Sequence, residues 1–419
     1  MKQHVRLFRI AVAVLLLFGA SLAFAGGAKE PGAGEKVTLK FVSWMVAEAS
    51  GGEVWIPDRV KAWETLHPNV TVEVIPLAWE DTPDKITLQV QAKNAPDIWT
   101  IESLWLGKFG TMPGAVQDLK RYMDASFVSQ LVPAYKGGEL AGKMFGLVWS
   151  PNPWVLVFNK DLVQKAGVSG APKDFNDFLQ QVNAVAKVHG NPYGVGLQLN
   201  LDEYSADTFH IIMWQTGGDM LDASGKPVVN SPGTIKAVNL VKDLVDRKAA
   251  PFGEDTRNLR TIFAQNKIGF MFEGPWIAGV LDGEGMSRDK WDVSEWPGNV
   301  QPASHILCMS ANSPHKDLAW DLMKYIVTDE TTTKEYFKKT GLMPMIKTQY
   351  DDPQYSSHYP QTFLAQFSQL MNPNVWGSQK KYEIEMAFMQ ALQKIYLGQG
   401  ETVATLNALQ DDLTKMVSR

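Results

Sequence analysis

Tryptophans stand beside carboxylates or carboxamides in this sequence at points where alternating, β-rich stretches end. Trp44 closes VTLKFVSW, Trp79 with Glu80 and Asp81 follows NVTVEVIPL, and Glu102 with Trp105 follows DIWTIE. Later, Trp149, Asn152 and Trp154 surround the break SPNP, Gln198 ends YGVGLQL, and Glu273 and Trp276 flank the Gly-Pro turn after KIGFMF. An indole offers a broad apolar face to the C–H side of a sugar ring, and acids and amides bind its hydroxyls in pairs. The chemistry suited to this set is carbohydrate recognition. A single Trp is as readily core packing, and Trp55, Trp63 and Trp320, in or beside helical patterns, are assigned to packing. Glu80 or Asp81 would equally cap the following helix. Glu273 is better evidence, because a turn at Gly274-Pro275 has no evident need of a charge. Pro275 suits the first turn of a helix PWIAGVL, whose free N–H groups would face the same cleft.

The elements that must hold these residues read as α/β. Strand-like alternation at 37–44 and 69–77, a helical repeat through Val60, Trp63 and Leu66, a helix in DKITLQVQAK and a buried strand at 97–102 form a βαβ pattern, which predicts a parallel sheet with helices on its faces. The pattern returns: KMFGLVW and WVLVFNK, a helix from Pro172 to Gly190, YGVGLQL, a helix around Tyr204 to Gln215, an amphipathic helix at 234–248, the strand 267–276 and the strand HILCMS at 305–310. HKDLAWDLMKYIV and the tail, broken near Gly398 and Gly400, are helical. In open α/β sheets ligands sit at the carboxyl ends of strands, where the residues above lie.

Composition narrows the function. At 419 residues, with 45% hydrophobic and 20% charged residues, the chain is globular and long enough for two or three domains. A net charge of −5 argues against nucleic acid as a partner. The single cysteine, Cys308, rules out an internal disulfide and a thiolate zinc site; it lies in an apolar strand and reads as inert core. Lys2, Arg6 and Arg9, the apolar run Ile10 to Phe18, and small residues at Ala23 and Ala25 make a secretory signal peptide over 1–25, cleaved before Gly26. The run is too short to span a bilayer. Residues 26–36 read as a flexible leader.

In order along the chain, the exported start, APDIWTIESLW, GKMFGLVWSPNPWVLVFNKDLVQKAG, WQTGGDM, GFMFEGPW, NSPHKDLAWDLMKYIVTDE and GLMPM resemble the solute-binding proteins of ABC sugar importers, the group that includes maltose-binding protein. The resemblance covers essentially the whole mature chain. It implies two Rossmann-like lobes of the type II periplasmic binding protein kind, joined by hinge crossings and closing over one sugar. The lobes would be residues 37–149 with 303–345 and residues 150–302 with 346–419. Carried over residue by residue, it places Trp44 and Glu48 after the first strand and Glu102 and Trp105 after the third. Trp149, Asn152 and Trp154 fall in the first hinge, Trp214 before the GG turn, Glu273 and Trp276 at the second-lobe turn, Ser304 and His305 before the returning strand, and Met343 in the later crossing. The stretch VWSPNPW and Glu273 depart from the usual pattern, so the sugar is left open. The resemblance further implies a monomer in the periplasm, no lipoprotein cysteine at position 26, no cofactor, and the membrane subunits of an importer as partners.

Two rivals stand beside this reading. One keeps the fold and binds a polyamine or other cation between Glu48, Glu102, Glu273 and aromatic faces. The other is an exported glycoside hydrolase with Glu102 and Glu273 as its carboxylate pair, against which stands the lack of a regular eightfold βα count. GGELAGKM has Met144 where a phosphate loop needs Ser or Thr, and GVG at 194–196 lacks the third glycine of a dinucleotide site. No His-Glu-x-x-His or Gly-x-Ser-x-Gly motif occurs.

Overall fold

The computed structural model describes residues 36–47, 52–79, 81–190 and 192–418. The expected signal peptide, the leader up to residue 35, and the candidates Glu48 and Glu80 lie outside these residues.

The strands are β1 (Val37–Ser43), β2 (Val70–Pro76), β3 (Ile98–Glu102), the small pair β4 (Glu139–Leu140) and β5 (Lys143–Met144), β6 (Leu147–Ser150), β7 (Val155–Asn159), β8 (Tyr193–Gly196), β9 (Ile268–Glu273), β10 (Trp291–Ser294) and β11 (His305–Met309). The helices are α1 (Gly52–Leu66), α2 (Thr82–Gln91), α3 (Leu106–Thr111), α4 (Ala125–Gln130), α5 (Lys160–Ala166), α6 (Phe175–Val185), α7 (Glu203–Thr216) and α8 (Pro232–Asp246). They continue with α9 (Thr256–Ala264), α10 (Ile277–Gly283), α11 (Lys316–Thr328), α12 (Glu330–Thr340), α13 (His358–Gln366), α14 (Lys381–Tyr396) and α15 (Thr402–Val417).

Two larger sheets result, one ordered β2-β1-β3-β11-β6 and one ordered β10-β7-β9-β8. The parallel sheet expected from the βαβ pattern is found only in part: β1 runs parallel to β2 and β3, and β8 to β9, whereas β11 is antiparallel to β3 and β6, and β7 to β9 and β10. The reason is connectivity. The chain leaves the first sheet after β6, builds the second, and re-enters the first through β11 from the opposite end. β3 and β9 are buried nearly throughout, as strands covered on both faces must be, while Lys40 between Leu39 and Phe41 marks a more exposed face of β1.

Helix starts follow their caps. Asp174, Asp202 and Asp255 accept from the third following backbone N–H at the starts of α6, α7 and α9. Gly217 ends α7 at φ 77°, a left-handed value that glycine adopts without cost. Arg59 on α1 is buried and donates to the carbonyls of Tyr325, Ile326 and Asp329, closing the end of α11; burial pulls its pKa down to about 10. Trp63 and Trp320 pack in the core, as does Cys308, whose thiol pKa is pushed up by burial.

Candidate functional site

The ends of strands from both sheets meet where the chain passes between them. Glu102 closes β3 opposite His305, the first residue of β11, and His305 also faces Ser150, the last residue of β6. In the second sheet Val155, opening β7, lies opposite Glu273, closing β9. The segments joining the sheets, 150–154 and 301–304, touch through a bridge between Pro153 and Pro302.

Aromatic rings link these strand ends into a continuous belt. Trp149 lies 5.9 Å from His305, His305 5.4 Å from Trp44, and Trp44 5.5 Å from Trp105, centroid to centroid. Trp105 is 5.1 Å from Trp79, and Trp79 meets Tyr204 edge-on at 6.5 Å. Tyr204, in the first turn of α7, tilts against Trp154 at 5.3 Å, and Trp154 is 5.9 Å from Trp276. The belt thus runs from the loops of one sheet to those of the other. Trp55, assigned to packing, stacks on Trp149 at 5.1 Å and on Tyr336 at 4.0 Å, so it extends the belt beyond the first crossing.

Carboxylates sit on the belt already oriented. Trp79 donates its indole N–H to Glu102 at 3.0 Å, and Trp276 donates its own to Glu273 at 2.8 Å. Arg260 on α9 grips Glu273 in two places, Nε to Oε1 at 2.6 Å and Nη2 to Oε2 at 2.8 Å, the strong forked geometry of a guanidinium–carboxylate pair. Glu273 therefore does need a charge, for Arg260, contrary to the sequence-based argument. Asp207, one turn along α7, accepts from Trp376 and lies with Glu203 and Glu385 around Lys381. Burial raises the Glu203 pKa, opposed by Lys381. It also raises that of the Tyr204 phenol, as does the nearby Glu273 carboxylate. Burial holds His305 far below its ordinary value, at about 3, so the ring is neutral.

Asn152 and Met343, inferred as ligand contacts, stand where the chain crosses between the two sheets. The Asn152 side chain donates to the carbonyls of Ser150 and Ala303, its carbonyl oxygen accepts from Ser150 Oγ, and its backbone carbonyl accepts from Ala303 N. Ser150 Oγ also reaches the Met343 carbonyl at 3.2 Å. Three crossing segments are tied by these two side chains, and both Asn152 and Met343 are buried. Trp214 also stands apart: near the far end of α7 it contacts His210 and Asp219 rather than the belt. Ser304 is buried beside the first crossing with its hydroxyl unpartnered, and His305 Nδ1 is likewise unpartnered.

Sequence reasoning missed Tyr204, Arg260 and Gln301, and left Gln198 out of the candidate set. Gln198, Thr208 and Glu273 line one partly open recess of about 20 Å³, and Gln301, Trp154, Tyr204 and Asp207 line another of about 10 Å³. Each is on the order of one water. Neither recess as it stands takes a sugar ring. Gly107 of α3 shows how closely they approach, since a Cβ there would lie 2.2 Å from the Trp376 carbonyl oxygen. Among the described residues, no group of three or more His, Cys, Asp or Glu is placed to hold a metal ion, and no helix is long and apolar enough to cross a membrane.

Known proteins share this architecture. A protein of Brucella abortus (strain 2308), named as a binding protein, is 26% identical over 367 residues, covering 83% of this chain and 85% of its own. The sugar-binding protein MalE from Xanthomonas citri superposes with a TM-score of 0.77 at 18% identity, covering 91% of this chain and 97% of that one. An ABC transporter solute-binding protein of Thermotoga lettingae, bound with α-D-tagatose, gives a TM-score of 0.76 at 20% identity, covering 91% and 99%. The two-lobed fold that the resemblance implied is the fold of these structures. Members of the matching family bind solutes and are not enzymes, which removes the glycoside hydrolase reading. Residues 58–361 match the family of bacterial extracellular solute-binding proteins, and the chain belongs to that family.

Proposed function

We propose that this protein binds a carbohydrate in the belt-lined cleft and delivers it to the membrane subunits of an ABC importer. The observation that carries the reading is the aromatic run from Trp44 to Trp276, which passes from one sheet to the other with hydrogen-bonded carboxylates along it. Such a surface stacks on sugar rings and binds their hydroxyls. The sugars named for the similar structures, α-D-tagatose among them, agree with this chemistry. The working parts are lobe 37–149 with 303–345 and lobe 150–302 with 346–419. They rotate about the crossings tied by Asn152, Ser150 and Met343, as hinged domains do. The protein acts as a periplasmic monomer after cleavage before Gly26. A thermal-shift screen of neutral mono- and oligosaccharides against polyamines tests the reading: a neutral sugar should raise the melting temperature by several degrees, and stabilisation by polyamines alone would refute it.

A further inference from the structure

Gln301 lies on the segment that returns the chain to the first sheet, directly before the Pro153–Pro302 bridge. It is 2% exposed, and neither its amide oxygen nor its amide nitrogen has a hydrogen-bond partner. Buried carboxamides are nearly always satisfied, because an unmet donor or acceptor has lost its water for nothing. Both atoms of one side chain left unmet therefore call for an explanation. Gln301 borders the small space that Trp154, Tyr204, Asp207 and Trp376 also line. Asp207 already accepts from Trp376 and lies beside Lys381, so the charge next to Gln301 is balanced within the protein.

We infer that Gln301 is a specificity-determining residue that pairs its carboxamide with two adjacent hydroxyls of an uncharged sugar and disfavours cationic ligands. This rests on the reading of the cleft as a sugar site. A primary amide presents a donor and an acceptor side by side, and adjacent hydroxyls return one of each. An ammonium group only donates, which would leave the Gln301 N–H groups buried and unmet; a carboxylate only accepts, which would leave the carbonyl unmet. The flanking rings of Trp154 and Tyr204, 5.3 Å apart, supply faces for the apolar side of the same ring. Hydrogen bonds just beyond Gln301, from Ala303 N to the Asn152 carbonyl and from Ser103 Oγ to the Pro302 carbonyl, hold the segment in place.

The test is Gln301→Met, which keeps the length of the side chain and removes its polar atoms. Without ligand, the variant should melt within a few degrees of wild type, since the open cleft hydrates the amide; a large fall would mean that the amide has a partner within the fold, and would overturn the inference. Calorimetry with maltotriose, diacetylchitobiose, tagatose and spermidine supplies the second arm. The sugar that wild type binds most tightly should bind the variant at least tenfold more weakly, with no such loss for spermidine. Equal sugar affinity in the two proteins overturns the role of Gln301 and leaves the sugar site standing. Spermidine binding to wild type with none of the sugars binding overturns both.

Discussion

Trp276 donates its indole N–H to Glu273 across 2.8 Å, and the same carboxylate is gripped from α9 by Arg260. The pairing fixes the indole at the edge of the belt, against Trp154. It repeats on the other lobe, where Trp79 donates to Glu102. In each lobe, then, a carboxylate at a strand end holds a tryptophan of the belt by its indole N–H.

Trp276→Ala removes one ring of the belt from a half-buried position. It should weaken sugar binding by about 1–3 kcal/mol, roughly 5- to 150-fold, with a small change in melting temperature. Glu273→Gln should cost stability as well, on the order of 2–4 kcal/mol, because it leaves a largely buried guanidinium without its carboxylate. Calorimetry beside melting curves separates the two effects. Unchanged affinity in both variants would remove this pair from the site.

Asn152 should govern motion rather than contact. Asn152→Ala deletes hydrogen bonds to two crossings, at a cost of about 1–3 kcal/mol in stability, and loosens the coupling between the lobes. Small-angle scattering of wild type should show a smaller radius of gyration with saturating sugar than without, and the variant should show a smaller difference. An identical contraction in both proteins would contradict the role assigned to the crossings.

His305 ties stability to pH. Burial holds its pKa near 3 in the folded protein, against about 6.5 in the unfolded chain, so the unfolded state binds the extra proton between those values. The folded state is therefore favoured in full above about pH 6.5 and loses stability as pH falls toward 3, by a few kcal/mol in all. Trp44, Trp149 and the facing residues Glu102 and Ser150 surround the ring. The melting temperature of wild type should drop more steeply from pH 7 to pH 4 than that of His305→Gln. Parallel curves would show that the ring charges freely in the fold.

No turnover of glycosides is expected. Both oxygens of Glu273 already accept bonds from Arg260 and Trp276, and Glu102 accepts from Trp79, so neither is disposed to shuttle a proton to a leaving group. Incubation with nitrophenyl glycosides should release no product above buffer. Release abolished by Glu102→Gln would contradict this.

Much of this was legible in the sequence because period-2 alternation marks strands that bury one face, as in Val37, Leu39 and Phe41. β10 was not, being a four-residue edge strand with too few alternations to register. Strand direction was not legible either, since a pattern of buried residues reads the same in a parallel or an antiparallel ladder. In the site, Trp44, Trp79, Trp105, Trp149, Trp154 and Trp276 stand in one belt, all following strands or flanking the crossing between them. Trp214 was drawn in by its neighbouring GG turn, yet ten residues of helix from Tyr204 carry it about 15 Å along α7. Tyr204 went unnoticed because the helical pattern explains an aromatic residue without reference to a ligand. The bonds of Asn152 to Ser150 and Ala303 were not legible either, because an amide suited to hydroxyls is equally suited to backbone carbonyls.

The cleft between the two sheets should bind an uncharged sugar on its aromatic belt. The measurement is isothermal titration of the sugar selected by thermal shift into wild type and Trp154→Phe, which keeps a ring but reduces the platform. Binding of one sugar per protein, weakened about 5- to 50-fold in the variant, is the predicted result. Equal affinity in wild type and variant, or saturation by spermidine with no heat from any neutral sugar, would contradict it.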